Sequence, residues 1–178
     1  TVKASGPVGV DRTMTWDKGT YAGHAETGVV SASRKWYFAE GATIGGFNLF
    51  YLLQNPSNAT VTVEARYLLG TGAVFTKSYT LPANSRFNIW ANVESINGAT
   101  PLASAELSAE FTVTAGANII AERAMYRGSS PLFKAGHESA GVTEPATEWL
   151  LAVGNAGEFF DEFVLIGHTT GNAALVQA

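Results

Sequence analysis

Apolar and polar residues alternate along most of the chain, and turn sequences containing glycine, proline or asparagine interrupt this pattern at short intervals. In one such segment, Val61, Val63 and Ala65 alternate with Thr62 and Glu64. A period of two residues is the pattern of a β-strand with one buried face, and closely spaced short strands indicate an antiparallel fold. No segment longer than a turn or two shows the 3.6-residue period of a helix. The sequence therefore predicts an all-β protein, a sandwich or a barrel.

The pattern predicts about seven strands between residues 36 and 126. They begin at Trp36, Phe47, Ala59, Ala73, Arg86, Ser104 and Asn118. Residues 47–54 form a nearly continuous apolar run, which is typical of a strand buried on both faces. Two extended segments, 8–16 and 21–30, precede these strands. Seven short strands in about 100 residues is the size of an antiparallel immunoglobulin-like β-sandwich, which is the fold that we predict.

The chain also contains an internal repeat. Residues 1–65 align with residues 112–178, with two extra residues in the second copy after Tyr126. Trp36 and Trp149 occupy equivalent positions, which gives a repeat unit of about 111–113 residues. A long internal period of this kind is typical of proteins built from stacked structural units. The chain therefore holds about one and a half units.

The repeat predicts three parts in the chain. Residues 1–35 are expected to be the end of a preceding unit, residues 36–142 one complete β-sandwich, and residues 143–178 the opening strands of a following unit. Neither end has enough strands for a closed core, so exposed sheet edges are expected there. These ends must pack on the central unit, pair with each other or be completed by another chain. Neighbouring repeat units or identical chains are the predicted partners.

Five motifs carry a resemblance to a known kind of repeat. They are Trp-Tyr-Phe-Ala-Glu-Gly-Ala-Thr (36–43), Phe-Tyr-Leu-Leu-Gln-Asn-Pro (50–56), Leu-Pro-Ala-x-Ser-Arg (81–86), Ala-Glu-Arg-Ala-Met-Tyr (121–126) and Gly-His-Glu-Ser-Ala-Gly-Val (136–142). In this combination the series resembles an uncharacterised tandem repeat of large bacterial cell-surface and secreted proteins. The resemblance implies a β-sandwich repeat in an extracellular, structural or adhesive setting, and it brings no catalytic residues. The second copy departs from the first at Val153, which stands where the first copy has Glu40.

Composition narrows the choice of partners. The net charge is −4 and the 11 basic residues are scattered, so neither nucleic acid nor an anionic membrane surface is an expected partner. The longest apolar runs are only a few residues, so no membrane-inserted helix is expected. The absence of cysteine excludes disulfides, thiolate zinc sites and cysteine nucleophiles. A cysteine-free chain with few lysines suits a secreted or cell-surface bacterial protein, and it is also compatible with the cytosol.

The repeated Gly-His pair places His24 and His137 at equivalent positions. One histidine per unit is a poor zinc site, because such sites need three or four ligands. Glu26 and Glu138 lie at different offsets from their histidines, so they provide no common metal geometry. We expect each ring to be hydrogen-bonded at a strand end in a structural role, and we predict neither a metal nor a cofactor.

Arg123 is the other candidate for a polar site. It shares a strand face with Ala121 and Met125, so its guanidinium is expected to be partly buried and to need a carboxylate. Glu40, in the Trp36 motif of the same unit, is the predicted partner in a structural ion pair. The chain has no Gly-x-Ser-x-Gly nucleophile motif and no other catalytic constellation, so we predict that it is not an enzyme.

The tryptophans leave two hypotheses for the function. Trp36 and Trp149 recur in phase with the repeat, which favours core positions or wedges between units. Trp90 lies on the face opposite Phe87 and Ile89 and is the best candidate for an exposed ring on which a sugar could stack. The leading hypothesis is a non-enzymatic structural or adhesive repeat of an extracellular bacterial protein, with strand complementation between chains as a route to fibres. The alternative is a carbohydrate-binding module of a larger secreted enzyme.

Overall fold

The computed structural model of the chain describes residues 1–16, 22–129, 132–152, 154–159, 161–170 and 173–177, and its secondary structure is all β. The strands are β1 (Asp11–Trp16), β2 (Ala22–Thr27), β3 (Lys35–Phe38), β4 (Phe47–Asn55), β5 (Val61–Leu69), β6 (Val74–Leu81), β7 (Ser85–Trp90), β8 (Leu107–Ala115), β9 (Ile120–Ser129) and β10 (Leu132–Ala140). One 3-10 turn, Ala91–Val93, follows β7. The seven strands predicted between residues 36 and 126 correspond to β3 to β9. No helix of the described residues is long and apolar enough to cross a membrane.

Eight strands form two four-stranded antiparallel sheets that pack face to face. The first sheet has the order β10-β9-β4-β7, and the second has the order β3-β8-β5-β6. The predicted antiparallel β-sandwich is therefore confirmed, whereas its assignment as immunoglobulin-like remains a prediction. Because β4 pairs with β9 and β3 pairs with β8, the opening strands of the unit lie beside its closing strands.

Aromatic rings fill the centre of the core between the two sheets. The ring of Phe111 on β8 lies 5.9 Å from that of Phe38, 5.0 Å from that of Tyr51 and 6.2 Å from that of Tyr67, and all four residues are buried. Tilted and edge-to-face contacts of this kind contribute about 0.5–1.5 kcal/mol per pair beyond the burial of apolar area. The rings therefore hold β4 of the first sheet against β3, β5 and β8 of the second sheet.

Strand β4 was predicted to be buried on both faces, but only one of its faces is buried. Leu49, Tyr51 and Leu53 point into the core and are buried, whereas the alternate residues of the strand are half-buried. The prediction that both faces are buried was therefore wrong for the outer face. A third layer covers that side of the sheet, and it lies over β9 and β10 rather than over β4.

Trp36 is a core residue that closes the side of the sandwich. Its side chain is buried, and its indole Nε1 donates a hydrogen bond of 2.9 Å to the carbonyl oxygen of Ile119. Ser33, just before β3, exchanges two backbone hydrogen bonds with the same residue. The repeated tryptophan motif thus fixes the start of the unit to the beginning of β9.

Residues 143–177 differ from the segment that they repeat. The opening strands predicted here are not formed by the described residues, and Val153 lies outside these residues. Trp149 is 58% exposed, Phe159 92% and Phe163 76%, while Gly167 lies against the sandwich. A strand needs a neighbour for its backbone hydrogen bonds, and the described sheets do not supply one here.

Strands β1 and β2 form a hairpin outside the sandwich. Met14 lies opposite His24 in this hairpin, and Met125 lies opposite His137 in the β9–β10 hairpin. These residues are equivalent in the sequence repeat, so the two hairpins have the same register. The β1–β2 hairpin is therefore the structural counterpart of β9–β10, and it packs against β10 as a third layer.

Candidate functional site

The contact between the β1–β2 hairpin and the outer face of β9 and β10 is the first of two polar clusters, and we call it the joint. Arg12 and Trp16 on β1 and His24 on β2 lie on the hairpin face that meets the sandwich. The repeat counterparts of Arg12 and His24 are Arg123 and His137, which lie on the inner side of their own sheet. The hairpin therefore uses the face that points to the core in the central unit to cover the outside of that unit.

Charged groups connect the two sides of the joint. Arg12 Nη1 donates a hydrogen bond of 3.1 Å to Glu122 Oε2 on β9, and its Nη2 lies 2.5 Å from Glu138 Oε1 on β10. His24 Nδ1 lies 3.0 Å from Glu138 Oε2, although the angle of this contact is poor for a hydrogen bond. His24 Nε2 forms a hydrogen bond of 3.1 Å with the Tyr126 hydroxyl. The side chains of His24 and Glu138 are both almost fully buried.

Burial changes the pKa values of Glu138 and His24 in the joint. It raises the pKa of Glu138 to about 7, and the positive charge of Arg12 only partly opposes this effect. Burial also lowers the pKa of His24 below its usual value, and Arg12 lowers it further. Near neutral pH, His24 is thus mostly uncharged and Glu138 is close to its titration midpoint. Because Arg12 and Glu122 carry opposite charges, protonation of Glu138 brings the joint close to neutrality.

Aromatic rings pack beside these charged groups in the joint. The indole Nε1 of Trp16 donates a hydrogen bond of 2.7 Å to the carbonyl oxygen of Phe133, and its ring meets that of Tyr126 edge-on at 5.4 Å. Tyr126 in turn stacks on Phe133 at 4.9 Å. A Cβ added at Gly136 would lie 2.6 Å from the Tyr126 ring and 3.1 Å from that of Trp16. The glycine of the second Gly-His pair is needed because aromatic rings pass directly over the backbone.

The second polar cluster lies at the edge of the core, on the inner side of β9 and β10. Arg123 Nη1 donates hydrogen bonds to Glu40 Oε2 at 2.6 Å and to the Glu40 carbonyl oxygen at 2.9 Å. Its Nη2 lies 3.2 Å from His137 Nδ1, and His137 Nε2 lies 3.8 Å from Glu40 Oε1. Arg123 is only 4% exposed. The structure thus forms the ion pair predicted from the sequence and adds His137 to it.

The environment of His137 favours its neutral form. Burial lowers the pKa of the ring, and the neighbouring Arg123 guanidinium lowers it further. A neutral imidazole can accept a hydrogen bond from Arg123 through Nδ1, which matches the observed contact. Tyr51 lies opposite Arg123 across β4 and β9, and burial raises the pKa of its hydroxyl group. The cluster therefore ties the segment after β3 to β9 and β10.

Two details of the polar clusters differ from the sequence prediction. Both histidines were expected at strand ends, but His24 and His137 lie inside β2 and β10, where cross-strand neighbours reach their rings. The pair between Arg12 and Glu122 was not foreseen. It joins the arginine of the first repeat copy to the acid that precedes Arg123 in the second copy. The acid-arginine dipeptide, which occurs in both copies, is the sequence feature that marks this pair. The sequence does not show how the two copies stack, and the pairing of Arg12 with Glu122 depends on that.

Two observations bear on ligand binding by the described residues. They contain no group of three or more histidine, aspartate or glutamate side chains that could hold a metal ion. A shallow cleft of about 470 Å³ lies between the end of β2, Trp36 and the end of β10. Its lining residues are mainly glycine, alanine, serine and valine, with Trp36 on one side and Glu144 as the one ionisable residue.

Trp90 lies on the outer face of the sandwich, as the alternation in β7 predicted. It is 37% exposed, stacks on Phe50 at 5.5 Å with an angle of 21° between the rings, and donates a hydrogen bond to Asn92. Phe50 also meets Tyr126 at 5.9 Å. A row of aromatic rings therefore crosses the outer face from the open side at Trp90 to Trp16 in the joint.

Removal of the Glu40 carboxylate is expected to destabilise the sandwich. In Glu40→Ala, the buried Arg123 guanidinium loses its anionic partner, and the free energy of unfolding should fall by about 3 kcal/mol. Arg123→Met should cost less, because the Glu40 side chain is 35% exposed and water can solvate its charge. Urea denaturation measures both, with the exposed Glu106→Ala as the control. Equal losses for Glu40→Ala and Glu106→Ala would contradict this role of the pair.

The raised pKa of Glu138 predicts that the joint weakens with increasing pH. Because the docked state favours the protonated acid, the stabilisation from Glu138 is complete below its ordinary pKa of 4.5 and is lost as the pH rises through about 7. Between pH 6.5 and 8.5, the hydrogen-exchange protection factors of β1 and β2 should fall in the natural sequence. They should stay nearly constant in Glu138→Gln, which stays uncharged.

Burial lowers the pKa of His24 below its usual value of 6.5, so this histidine contributes little to the change within the window. Glu26→Gln, on the same hairpin, serves as the matched control and should keep the dependence of the natural sequence. The same decline in Glu138→Gln as in the natural sequence would rule out Glu138 as the source.

Comparisons with known proteins bear on the fold alone. Neither a protein-family model nor a curated protein matches the chain. Among solved structures, the chain is similar to the crystal structure of Thermotoga maritima 1070, with a TM-score of 0.53 and 11% identity over 65% of this chain and 97% of that chain. The Anabaena sensory rhodopsin transducer gives a TM-score of 0.42 and 15% identity over 53% of this chain and 97% of that one. At these identities, the first similarity shows a shared fold, and the second is too weak to support an argument.

Proposed function

We propose that this chain is a non-enzymatic structural or adhesive β-sandwich repeat of an extracellular bacterial protein. In this proposal, a hairpin from one unit docks on the outer sheet of the next unit and thereby joins them. The observation that carries the proposal is the joint itself. The β1–β2 hairpin repeats β9–β10 in sequence and register, yet it is bound to the outside of that hairpin rather than to a core of its own.

The polar groups of both clusters support a structural role. Arg123 is occupied by Glu40 and His137, and Arg12 is occupied by Glu122 and Glu138. In both places the charged side chains connect segments that are far apart in the sequence. They hold strands together, as expected of a spacer or fibre module, and removing one partner of such a buried pair would leave the other charge uncompensated.

The proposed setting is the cell surface or the extracellular medium. It is supported by the absence of cysteine and by the resemblance of the sequence motifs to repeats of bacterial surface and secreted proteins. The proposed partners are neighbouring repeat units or identical chains, bound through sheet edges. Exposed apolar side chains in residues 149–166 favour strand complementation as the way in which such partners associate.

A mechanical experiment tests the structural role. When the chain is pulled from its two ends in an optical trap, release of the hairpin should precede unfolding of the sandwich as a separate, weaker event. Trp16→Ala removes the bond to Phe133 and the contact with Tyr126, so it should lower the force of the first event and leave the second unchanged. Val8→Ala, at an exposed position before β1, should change neither event. A hairpin that bears no measurable load would contradict the proposal.

One observation favours the alternative, a carbohydrate-binding module. Trp90 presents a partly exposed ring on a flat sheet, held by Phe50 and Asn92, and such rings stack on sugars. If this function is correct, pull-down with insoluble polysaccharides should retain the protein, and Trp90→Ala should reduce binding at least tenfold. Trp149→Ala is the matched control, because Trp149 is also exposed but lies outside the sandwich strands. Equal retention of both variants would exclude Trp90 as the binding residue.

A further inference from the structure

We propose that the free edge of β1 binds residues 161–167 of a second copy of this chain as an added antiparallel strand, with Phe163 opposite Thr13. This inference rests on the proposed function and identifies the partner, the edge and the register. It concerns the outer half of the sheet that the hairpin leaves uncovered.

The edge follows from the comparison of the two hairpins. Strand β9 has two neighbours, β10 on one side and β4 on the other. Its counterpart β1 has β2 as its sole partner among the described strands. The unpaired edge of β1 thus corresponds to the edge of β9 that pairs with β4. A strand with an unpaired edge offers a row of N–H and C=O groups to an incoming strand.

Residues 161–167 are the sequence counterpart of β4 in the second repeat copy. Phe163 and Leu165 correspond to Phe50 and Leu52. In the structure these residues form no strand, and the four consecutive apolar residues 163–166 are between 47% and 76% exposed. An apolar run of this kind on a surface is typical of an interaction site. The run therefore has the sequence of a central strand without the neighbours that such a strand needs.

The register follows from the pairing of β4 with β9. Phe50 lies opposite Ala124, and Tyr51 lies opposite Arg123. Transferred through the repeat, these pairs become Phe163 with Thr13 and Val164 with Arg12. Thr13 is exposed, on the side of β1 away from the joint. The side chain of Arg12 is already held by Glu122 and Glu138, so the added strand does not have to supply a carboxylate.

At two positions equivalent to those around Arg123, the second copy carries no polar side chain. Val164 stands in the place of Tyr51, and Val153 stands in the place of Glu40. The polar surroundings of Arg123 in the central unit are thus replaced by apolar residues in the second copy. Val164 opposite Arg12 suits an arginine whose charge Glu122 and Glu138 already compensate.

The added strand also has a surface to cover. In the joint, β2 contacts β10 through His24 and Glu138, and β1 contacts β9 through Arg12 and Glu122. The next strand of the hairpin layer therefore lies over β4, whose outer residues are half-buried, and toward Trp90. Residues on the same side of the added strand as Val164 would pack there, including Ile166. Apolar side chains would then cover the open part of the aromatic row.

Cysteine cross-linking tests the register, because the natural chain contains no cysteine. A tagged Thr13→Cys variant is mixed with an untagged Phe163→Cys variant and oxidised under mild conditions. Side chains directly opposite in a sheet have Cβ atoms about 4.5–5.5 Å apart, so a disulfide-linked mixed dimer should form. Val164→Cys in place of Phe163→Cys is the matched control, because a shift of one residue turns the side chain to the other face. It should cross-link at least fivefold less.

Sedimentation velocity tests the association itself. The natural chain should show an average mass that rises with concentration, and Val164→Lys should reduce this association at least tenfold. A natural chain that stays monomeric at all concentrations would overturn the inference. Thr13→Cys and Phe163→Cys combined in one chain give a further check, because a cross-link confined to the monomer would show closure within one chain and would also overturn it. The load borne by the hairpin is measured independently, so these results can fail while the proposed structural role stands.

Discussion

The pairing of β4 with β9 is the interaction on which the rest of the structure depends. It joins the opening motif of the repeat to its closing segment, and it brings Glu40 within reach of Arg123. It also places β9 and β10 in a sheet whose inner face is covered by the aromatic core. The β1–β2 hairpin shows the same two-stranded unit without a neighbouring β4-type strand. It keeps its register, but it must find another surface for the face that carries Arg12 and His24.

The use of this other surface explains which residues form the joint. A face that carries an arginine, a histidine and apolar residues suits an environment that provides both carboxylates and flat rings. The outer face of β9 and β10 provides these through Glu122, Glu138 and Tyr126. The joint thus imitates, with different partners, the polar cluster at the edge of the core. Its buried acid has a pKa near neutrality because desolvation outweighs the attraction of a half-exposed arginine.

Much of the fold could be predicted from local pattern, because a strand with one buried face leaves a period of two in its sequence. The Arg123–Glu40 pair could also be anticipated, because Arg123 shares its face with apolar residues. The joint could not, since Glu122 and Glu138 lie on a face that the sequence reads as solvent-exposed. The hydrogen bond from Trp16 to the carbonyl oxygen of Phe133 could not be predicted either, because any residue type can supply a backbone carbonyl. The burial of β4 was overestimated because an apolar run does not reveal how far a separate layer extends.

In the second copy, Val153 and Val164 stand where the first copy has Glu40 and Tyr51. In the proposed array of such units, this difference affects which opening segment pairs with β9. If the second opening segment displaced the first from its place beside β9, the buried guanidinium of Arg123 would face two valines instead of an acid and a phenol. Leaving a buried charge uncompensated costs roughly 3–5 kcal/mol, a factor of more than a hundred in population. In the proposed array, this difference disfavours an exchange of the two opening segments, which share the tryptophan of the motif but differ at most other positions. The Arg123–Glu40 pair thus makes the first opening segment the better partner for this sandwich.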